Sequence, residues 1–329
     1  MKTALITGIT GQDGSYLADL LLEKEYKVVG LYRRSSTNNF CRINHLANNS
    51  QFSLEEFDLT DPSNISFIIN KYQPEEFYNL AAQSHVATSF KQPSTTFEIN
   101  TTGVVNILES IKSLSSATKI YQASTSEMFG RNFTVDDYGS KHQDEKTELL
   151  PQSPYGISKL ASHRMVQLYR EAYGLFTTSG ILFNHESPRR GENFVTRKIT
   201  KYIGQLVNNQ TKDSLKLGNL NSHRDWGHAK DYVRAMYLML QQDEPDDFVI
   251  CTGQTHMILD FVKISFEYVN LDYTKYVEID PSLYRPAEVD YLKGCNNKAK
   301  KNLKWIPTIS FEELVHDMVD SDLKAYSYA

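Results

Sequence analysis

A glycine-rich turn close to the amino terminus is the feature that most restricts the fold of this chain. Three glycines, Gly8, Gly11 and Gly14, follow an apolar run at Thr3–Thr7 and precede a helix-like segment at 15–22. Glycines in a strand-to-helix turn let the backbone approach a pyrophosphate closely, and the helix N-terminus faces its negative charge. The spacing differs from the usual Gly-x-Gly-x-x-Gly pattern, and an ordinary glycine-rich turn is the alternative. The strand before the turn and the helix after it favour a dinucleotide-binding site.

Apolar runs and amphipathic segments alternate after this turn. The predicted strands are 27–32, 52–57, 76–80, 119–123 and 177–183, with helices at 63–72 and 94–115 between them. Such alternation is typical of a parallel sheet with helices on both faces, so we predict an α/β chain with a Rossmann-type doubly wound parallel sheet. We expect residues 1–183 to form the NADP-binding domain. Residues 184–329 are expected to form a smaller, intertwined part that binds mainly the substrate, with some segments returning to the first domain.

The end of the second predicted strand indicates which dinucleotide is bound. NAD-binding chains place an Asp or Glu there, which accepts hydrogen bonds from the ribose. This chain has Arg33, Arg34, Ser35 and Ser36 instead. Guanidinium and hydroxyl groups suit a ribose 2'-phosphate, so the pattern predicts NADP, the alternative being a solvated basic corner.

A tyrosine and a lysine lie four residues apart at a predicted helix start. Ser153 is a good N-cap and Pro154 a good first helical residue, so Tyr155 and Lys159 should share one helix face. An ammonium beside a phenol favours the phenolate, and we expect it to lower the pKa of Tyr155 towards the working pH. By itself the pair is a weak signal, and an exposed i,i+4 contact is the alternative.

The fifth predicted strand ends in polar residues at 124–127. In a doubly wound sheet ligands bind outside the carboxyl ends of the strands, so the side chains of Ser124, Thr125, Ser126 and Glu127 should reach the same crevice as the cofactor. The polar segment 131–150 lacks helical or strand periodicity and is predicted to be a surface loop over the mouth of that crevice.

Charge and cysteine usage exclude other classes of protein. The net charge of -5 gives no basic field of the kind that nucleic-acid binding needs. The cysteines, Cys41, Cys251 and Cys295, are far apart and form no CxxC pair, which argues against a zinc site or a disulfide framework and for a reducing compartment. We therefore expect a cytoplasmic protein, and no apolar run approaches the length of a membrane span.

Cationic groups recur in loop-like segments of the second half, at 184–191, 197–198, 223–226 and 285–288. Each cluster alone has the properties of solvated surface. Together, in an acidic chain, they predict a pocket for a ligand that carries a diphosphate.

Longer motifs add a family resemblance to these patterns. They lie at 79–86, 123–130, 180–199, 217–233 and 285–290. With the glycine turn and Tyr155-x-x-x-Lys159, they resemble the extended short-chain dehydrogenase/reductases, and within that family the dehydratases of GDP-sugars. The resemblance covers essentially the whole chain.

The resemblance implies a role for individual residues. The catalytic positions are Thr125, Glu127, Tyr155 and Lys159. The positions that contact NADP are Gly8, Thr10, Gly11, Gln12, Asp13, Gly14, Arg33, Arg34, Ser35, Asp58, Leu59, Leu80, Ala81, Ala82, Ser84, Lys159, His185 and Arg190. The positions that contact the GDP-sugar are Asn184, Lys198, Arg224, Arg285 and Glu288. The family also implies a homodimer or homotetramer, in which the loop after Arg34 reaches a neighbouring subunit's cofactor.

The reaction implied by the resemblance is an internal redox cycle on GDP-mannose that gives GDP-4-keto-6-deoxymannose and water. Tyr155 takes the C4 hydroxyl proton while hydride passes to NADP. Glu127 then removes the C5 proton and protonates the departing C6 hydroxyl, and the hydride returns to C6. A 4-epimerase or reductase would share Tyr155 and Lys159 but has no need of Glu127. A non-catalytic dinucleotide sensor is the alternative from another class, and the presence of all four catalytic positions argues against it.

Overall fold

The fold is seen in a computed structural model that describes residues 1–37, 39–284 and 289–327. The strands are β1 Thr3–Thr7, β2 Lys27–Tyr32, β3 Phe52–Glu56, β4 Glu76–Asn79, β5 Lys119–Thr125, β6 Thr134–Val135, β7 Lys141–His142, β8 Thr177–Leu182, β9 Asn184–Glu186, β10 Leu215–Leu217, β11 His223–Arg224, β12 Trp226–His228, β13 Phe248–Ile250, β14 His256–Met257 and β15 Val277–Ile279. The helices are α1 Gln12–Glu23, α2 Pro62–Tyr72, α3 Val86–Lys91, α4 Pro93–Phe97, α5 Gly103–Leu114, α6 Pro154–Tyr173, α7 Val195–Val207, α8 Ala229–Leu240, α9 Ile258–Tyr268, α10 Asn297–Asn302 and α11 Phe311–Ser327.

A seven-stranded sheet forms the centre of the molecule, in the order β13-β8-β5-β4-β1-β2-β3. Its neighbouring strands all run parallel. Parallel strands need crossover connections, and helices supply them here, so the predicted Rossmann-type α/β fold is confirmed.

Alternate residues of the strands pack against different helices. Ala4 and Ile6 belong to a core with α1 and α8, whereas Leu5 between them belongs to a core with α2, α5 and α6. Successive side chains of a strand point to opposite faces, so this division shows helices covering both sides of the sheet. The apolar composition of the strands other than β3 follows from their burial on both faces.

The predicted helix at 94–115 is interrupted. It consists of α4, a π-helical turn at Glu98–Thr102 and α5. Asn100 lies in the π turn, where its amide accepts a hydrogen bond from Gln83 N and donates one to Ser158 Oγ. The turn therefore links the loop after β4 to helix α6.

The second half of the chain builds its own core and also returns to the sheet. Helices α7, α9 and α11 share a buried apolar cluster separate from the two sheet cores. Strand β9 pairs in parallel with β12, and β13 pairs in parallel with β8 at the end of the central sheet. Within the described part of the chain, no helix has the length and apolarity to cross a membrane.

The segment 131–150 differs from its prediction as a loop over the crevice. It contains the short hairpin β6–β7 and packs along the β13 end of the sheet. Glu145 accepts a hydrogen bond from Val249 N, and Gln143 N donates to Lys293 O. All twenty residues are described, and none of them lines the main cavity. The prediction of a cover was wrong because the Glu145 side chain and the Gln143 backbone bond to Val249 and Lys293 instead.

Candidate active site

A large cavity lies at the carboxyl ends of the central strands. Its volume is about 1220 Å³, and residues from both halves of the chain line it. All four predicted catalytic residues line it, as do the predicted cofactor residues other than Arg34, and Asn184, Lys198 and Arg224 from the predicted substrate set. Arg34 is described and exposed but does not line it. Arg285 and Glu288 lie outside the described residues.

The glycine turn between β1 and α1 forms one wall of this cavity. Gly8 has a φ of +69°, a left-handed conformation that favours glycine. A Cβ on Gly14 would lie 2.4 Å from Gly8 O and 2.7 Å from Ile9 Cα, so no side chain fits there. Helix α1 begins at Gln12, with its N-terminus at the cavity. The turn therefore combines close backbone packing with the N-terminus of helix α1, which suits a pyrophosphate.

Two predicted cofactor residues of this wall are bonded to each other. His185 Nε2 lies 2.8 Å from Asp13 Oδ2, and His185 Nδ1 lies 2.7 Å from Phe183 O. Burial alone would raise the pKa of Asp13 and lower that of His185. Their mutual attraction outweighs burial, so the pKa of Asp13 is lowered and the pKa of His185 is raised. Sequence reasoning missed this ion pair because its partners are far apart in the chain.

The catalytic helix begins as predicted. Ser153 Oγ accepts a hydrogen bond from Gly156 N at 3.0 Å, and Pro154 is the first residue of α6. Tyr155 and Lys159 are 8% and 3% exposed, which excludes the alternative of an exposed surface pair. Lys159 Nζ donates to Ala123 O at 2.7 Å, and the Tyr155 hydroxyl bonds to the Thr125 side chain. Strand β5 and helix α6 thus hold both groups in the cavity wall.

The predicted lowering of the Tyr155 pKa was wrong. The pKa of Tyr155 is raised to about 12, and burial is the largest cause. The Thr125 hydrogen bond lowers this pKa, whereas the charge of Glu127 raises it further. Within the described chain, the other charges that act on Tyr155 belong to Arg190 and Asp13 rather than to Lys159. Burial also lowers the pKa of Lys159 to about 8. Desolvation is therefore the main cause of the pKa shifts of both Tyr155 and Lys159, and the sequence spacing does not reveal it.

Cationic groups lie at both ends of the cavity. Arg33 lines it after β2, and Lys198 and Arg224 line it on the side of the second half. Arg224 Nη1 donates to Val289 O at 2.7 Å, which orients the guanidinium. Arg190 stacks over the Phe194 ring at 3.5 Å and pairs with Glu186 at 2.9 Å.

Several lining residues were not predicted. They are Arg42, Lys216, Gly218 and Asn219, among others. Arg42 Nη1 lies 3.3 Å from Thr10 O, so a loop beyond β2 contacts the glycine turn. Ser124, which was predicted to reach the crevice from the end of the fifth strand, does line the cavity.

Comparisons with known proteins place this geometry in a family. The family model for GDP-mannose 4,6 dehydratase matches residues 5–318. The chain is 52% identical over 334 residues to GDP-mannose 4,6 dehydratase 2 of Arabidopsis thaliana, covering 98% of this chain and 87% of the relative.

Solved structures share the fold. DesIV, a dTDP-glucose 4,6-dehydratase of Streptomyces venezuelae solved with NAD and TYD bound, has a TM-score of 0.87 at 21% identity and covers 99% of this chain and 98% of its own. RMD of Pseudomonas aeruginosa, solved with NADPH, has a TM-score of 0.80 at 19% identity and covers 98% of this chain and 100% of its own. The extent of the family match and the identity to the plant relative together decide the assignment: the chain belongs to the GDP-mannose 4,6 dehydratase family.

Proposed function

We propose that this cavity converts GDP-mannose into GDP-4-keto-6-deoxymannose and water, the hydro-lyase activity expected of the family. The observation that carries the proposal is that Thr125, Glu127, Tyr155 and Lys159 line one cavity in a chain that matches the family model along most of its length. Glu127 separates this reaction from that of a 4-epimerase or reductase, since an elimination requires a base for the C5 proton.

The residues present fit a nicotinamide dinucleotide. The evidence is the cradle at Gly8 and Gly14, where the backbone packs too closely for a side chain. When bound, this cofactor accepts a hydride from C4 of the sugar and later returns it to C6. Solved neighbours of the fold hold NAD or NADPH, so the fold does not choose between them. We propose NADP because Arg33 and Ser35 line the cavity after β2, where NAD-binding chains carry a carboxylate.

Tyr155 is the proposed acceptor of the C4 hydroxyl proton. With its pKa at about 12, the phenol is protonated in the resting protein at neutral pH, so it must release that proton to water before it accepts the one from the C4 hydroxyl. Its interaction with Thr125 favours the phenolate, and Thr125 is proposed to orient the sugar by a hydrogen bond. Lys159, with a pKa of about 8, is predominantly an ammonium at pH 7 and supplies positive charge to the cavity wall rather than to the resting Tyr155 hydroxyl. The proposed roles are therefore proton transfer for Tyr155, orientation for Thr125 and charge for Lys159.

Glu127 is the proposed acid and base of the elimination. Its backbone N–H donates to Thr125 Oγ1 at 3.3 Å, which places the carboxylate just beyond the end of β5. Once C4 is a ketone, C5–H is acidic enough for a carboxylate to remove it, and the same proton then leaves with the C6 hydroxyl as water. Final protonation at C5, which in net balance uses the proton that Tyr155 took from the C4 hydroxyl, completes the product.

The second half of the cavity is proposed to hold the nucleotide portion of the substrate. Asn184, Lys198 and Arg224 line it and offer donors to a diphosphate. Arg285 and Glu288 remain predictions. We further propose a homodimer or homotetramer in which the loop after Arg34 reaches a neighbouring subunit's cofactor. The cytoplasmic location also remains a prediction.

Replacement of Glu127 by Gln tests the proposal, because it keeps the size of the side chain and removes its basicity. In a single turnover with GDP-mannose and bound NADP, the Glu127→Gln enzyme should accumulate reduced cofactor, visible as nicotinamide absorbance, since oxidation proceeds and elimination stalls. The Tyr155→Phe enzyme is the matched control and should show neither reduction nor product. Dehydrated product at the parental rate from Glu127→Gln would refute the role of Glu127 and return the epimerase or reductase alternative.

A further inference from the structure

A buried histidine lies on the catalytic helix and takes no part in the chemistry above. His163 follows Tyr155 by two turns and Lys159 by one turn of α6, and it is 2% exposed. Its Nδ1 lies 3.1 Å from the Oγ of Ser124 on β5. Ser124 lines the cavity, so the imidazole touches the back of the cavity wall without reaching into it.

The hydrogen-bond partners of His163 determine which ring nitrogen carries the proton. Gln167 Nε2 lies 3.2 Å from His163 Nε2 and 2.9 Å from Asp247 Oδ2. The carboxylate can only accept, so the amide group of Gln167 must turn its nitrogen towards it. That nitrogen is a donor, so His163 Nε2 accepts and Nδ1 carries the hydrogen.

Asp247 is itself held firmly. Its Oδ1 accepts from Ser179 N at 2.8 Å and from Arg170 Nη2 at 2.5 Å. The chain of bonds from the β13 end of the sheet to Ser124 is therefore anchored at its far end. Burial lowers the pKa of His163 to about 4, opposed by Asp247 and assisted by Arg164 and Arg170, so the ring is neutral at physiological pH. A neutral ring is what this bonding pattern requires.

Ser124 is left with one defined role. Its oxygen accepts the Nδ1–H of His163, so its own hydrogen is available to an acceptor in the cavity. Its neighbours in the strand are Ala123, whose carbonyl holds Lys159, and Thr125, which bonds Tyr155. The hydroxyl of Ser124 therefore lies at the catalytic end of the cavity.

We propose that His163 is a positioning residue that makes the Ser124 hydroxyl a committed hydrogen-bond donor to an oxygen of the bound ligands. The acceptor is either a sugar oxygen or the carboxamide oxygen of the nicotinamide, which share the chemistry of a neutral oxygen acceptor. The proposal rests on the proposed function for its catalytic consequence, but the geometry of the bond chain stands independently of the reaction.

A double-mutant cycle tests this assignment. Ser124→Ala and His163→Leu should each lower kcat for GDP-mannose about tenfold, the scale of one lost hydrogen bond, and the double variant should also lose about tenfold rather than about a hundredfold. His163→Asn should recover most of the loss, because its amide places an N–H donor where Nδ1–H lies. Ser162→Ala is the matched control. Ser162 is a buried serine on the same helix, and within the described part of the chain its hydroxyl bonds only to the backbone of that helix. Loss of this hydroxyl should leave kcat unchanged.

Dissociation constants for NADP, measured by titration without substrate, identify the acceptor and need no turnover. If NADP binds more weakly to the Ser124 and His163 variants, with non-additive losses that His163→Asn recovers, the acceptor is the carboxamide oxygen. If the dissociation constants stay constant while kcat falls with KM unchanged, the acceptor is a sugar oxygen. Additive losses, or equal loss in His163→Asn and His163→Leu at parental thermal stability, would overturn the proposal. If the parent enzyme makes no dehydrated product, the proposed function fails. The double-mutant cycle is then measured on NADP dissociation constants alone, and additive effects of Ser124→Ala and His163→Leu would count against the proposed role of His163.

Discussion

Acid should destabilise this protein through His163. The ring is buried, and its pKa is lowered to about 4 from an ordinary value of 6.5. The pKa of His163 is lower in the folded protein than in the unfolded chain. At a pH between these two values, the unfolded chain therefore binds a proton that the folded protein does not bind. Stability is therefore complete above about pH 6.5 and is lost as the pH falls towards 4.

The size of the loss follows from the pKa difference. Each pKa unit corresponds to about 1.4 kcal/mol. A histidine with this pKa difference therefore lowers the free energy of unfolding by about 2 kcal/mol at pH 5 and by about 3 kcal/mol at pH 4. Native proteins are stable by only about 5–15 kcal/mol, so a loss of this size is measurable. The charged groups that act on the ring are Asp247, which opposes the shift, and Arg164 and Arg170, which add to it.

Urea unfolding of the ligand-free protein at pH 7 and pH 5 provides the assay. The parent should lose about 2 kcal/mol more free energy of unfolding between these pH values than His163→Asn, which has no ring to protonate. Ser124→Ala is the control, because it keeps the imidazole and its burial, and it should follow the parent. Parallel losses in the parent and in His163→Asn would show that the folded protein accepts the proton, and the reasoning from burial would be refuted.

Three other outcomes are expected at the cavity. Arg33→Ala should weaken NADP binding roughly ten- to a hundredfold and leave NAD binding nearly unchanged, by the loss of a charge-assisted hydrogen bond; equal weakening in titrations with both cofactors would contradict the 2'-phosphate assignment. Gly14→Ala should abolish NADP binding or folding, because its Cβ would lie 2.4 Å from Gly8 O, and circular dichroism separates the two; parental affinity would show that the turn can relax. If the charge of Lys159 is required, kcat/KM should fall about tenfold per unit above pH 8, since burial lowers the pKa of Lys159 to about 8; a profile that is flat to pH 10 would show that this charge is dispensable.

Features encoded locally were predictable from the sequence. The bounds of β1 and β2 agree with the predictions, as does the N-cap of α6 at Ser153. These elements depend on apolar runs and on capping chemistry within a few residues, which a single sequence displays. The glycine turn is of the same kind.

Features that depend on tertiary burial were not predictable. The pKa of Tyr155 was expected to fall and instead rises to about 12, because the desolvation of a side chain is decided by what packs over it. The Asp13–His185 pair and the bond between Ser124 and His163 join residues from distant segments. The segment 131–150 was misplaced for the same reason, since its backbone partners lie more than a hundred residues further along the chain.

The late return of β13 to the sheet has a consequence for synthesis of the chain. Strand β8 is buried along its whole length, and one of its two pairing edges is covered by β13, whose first residue is Phe248. While a ribosome is still translating the segment between them, that edge of β8 has open N–H and C=O groups and apolar neighbours, a template for pairing with another nascent chain. Truncations that end before residue 248 should aggregate, whereas chains long enough to expose residues 248–250 outside the exit tunnel can close their own edge. Solubility in a series of stalled translation products would then rise sharply once that strand has emerged.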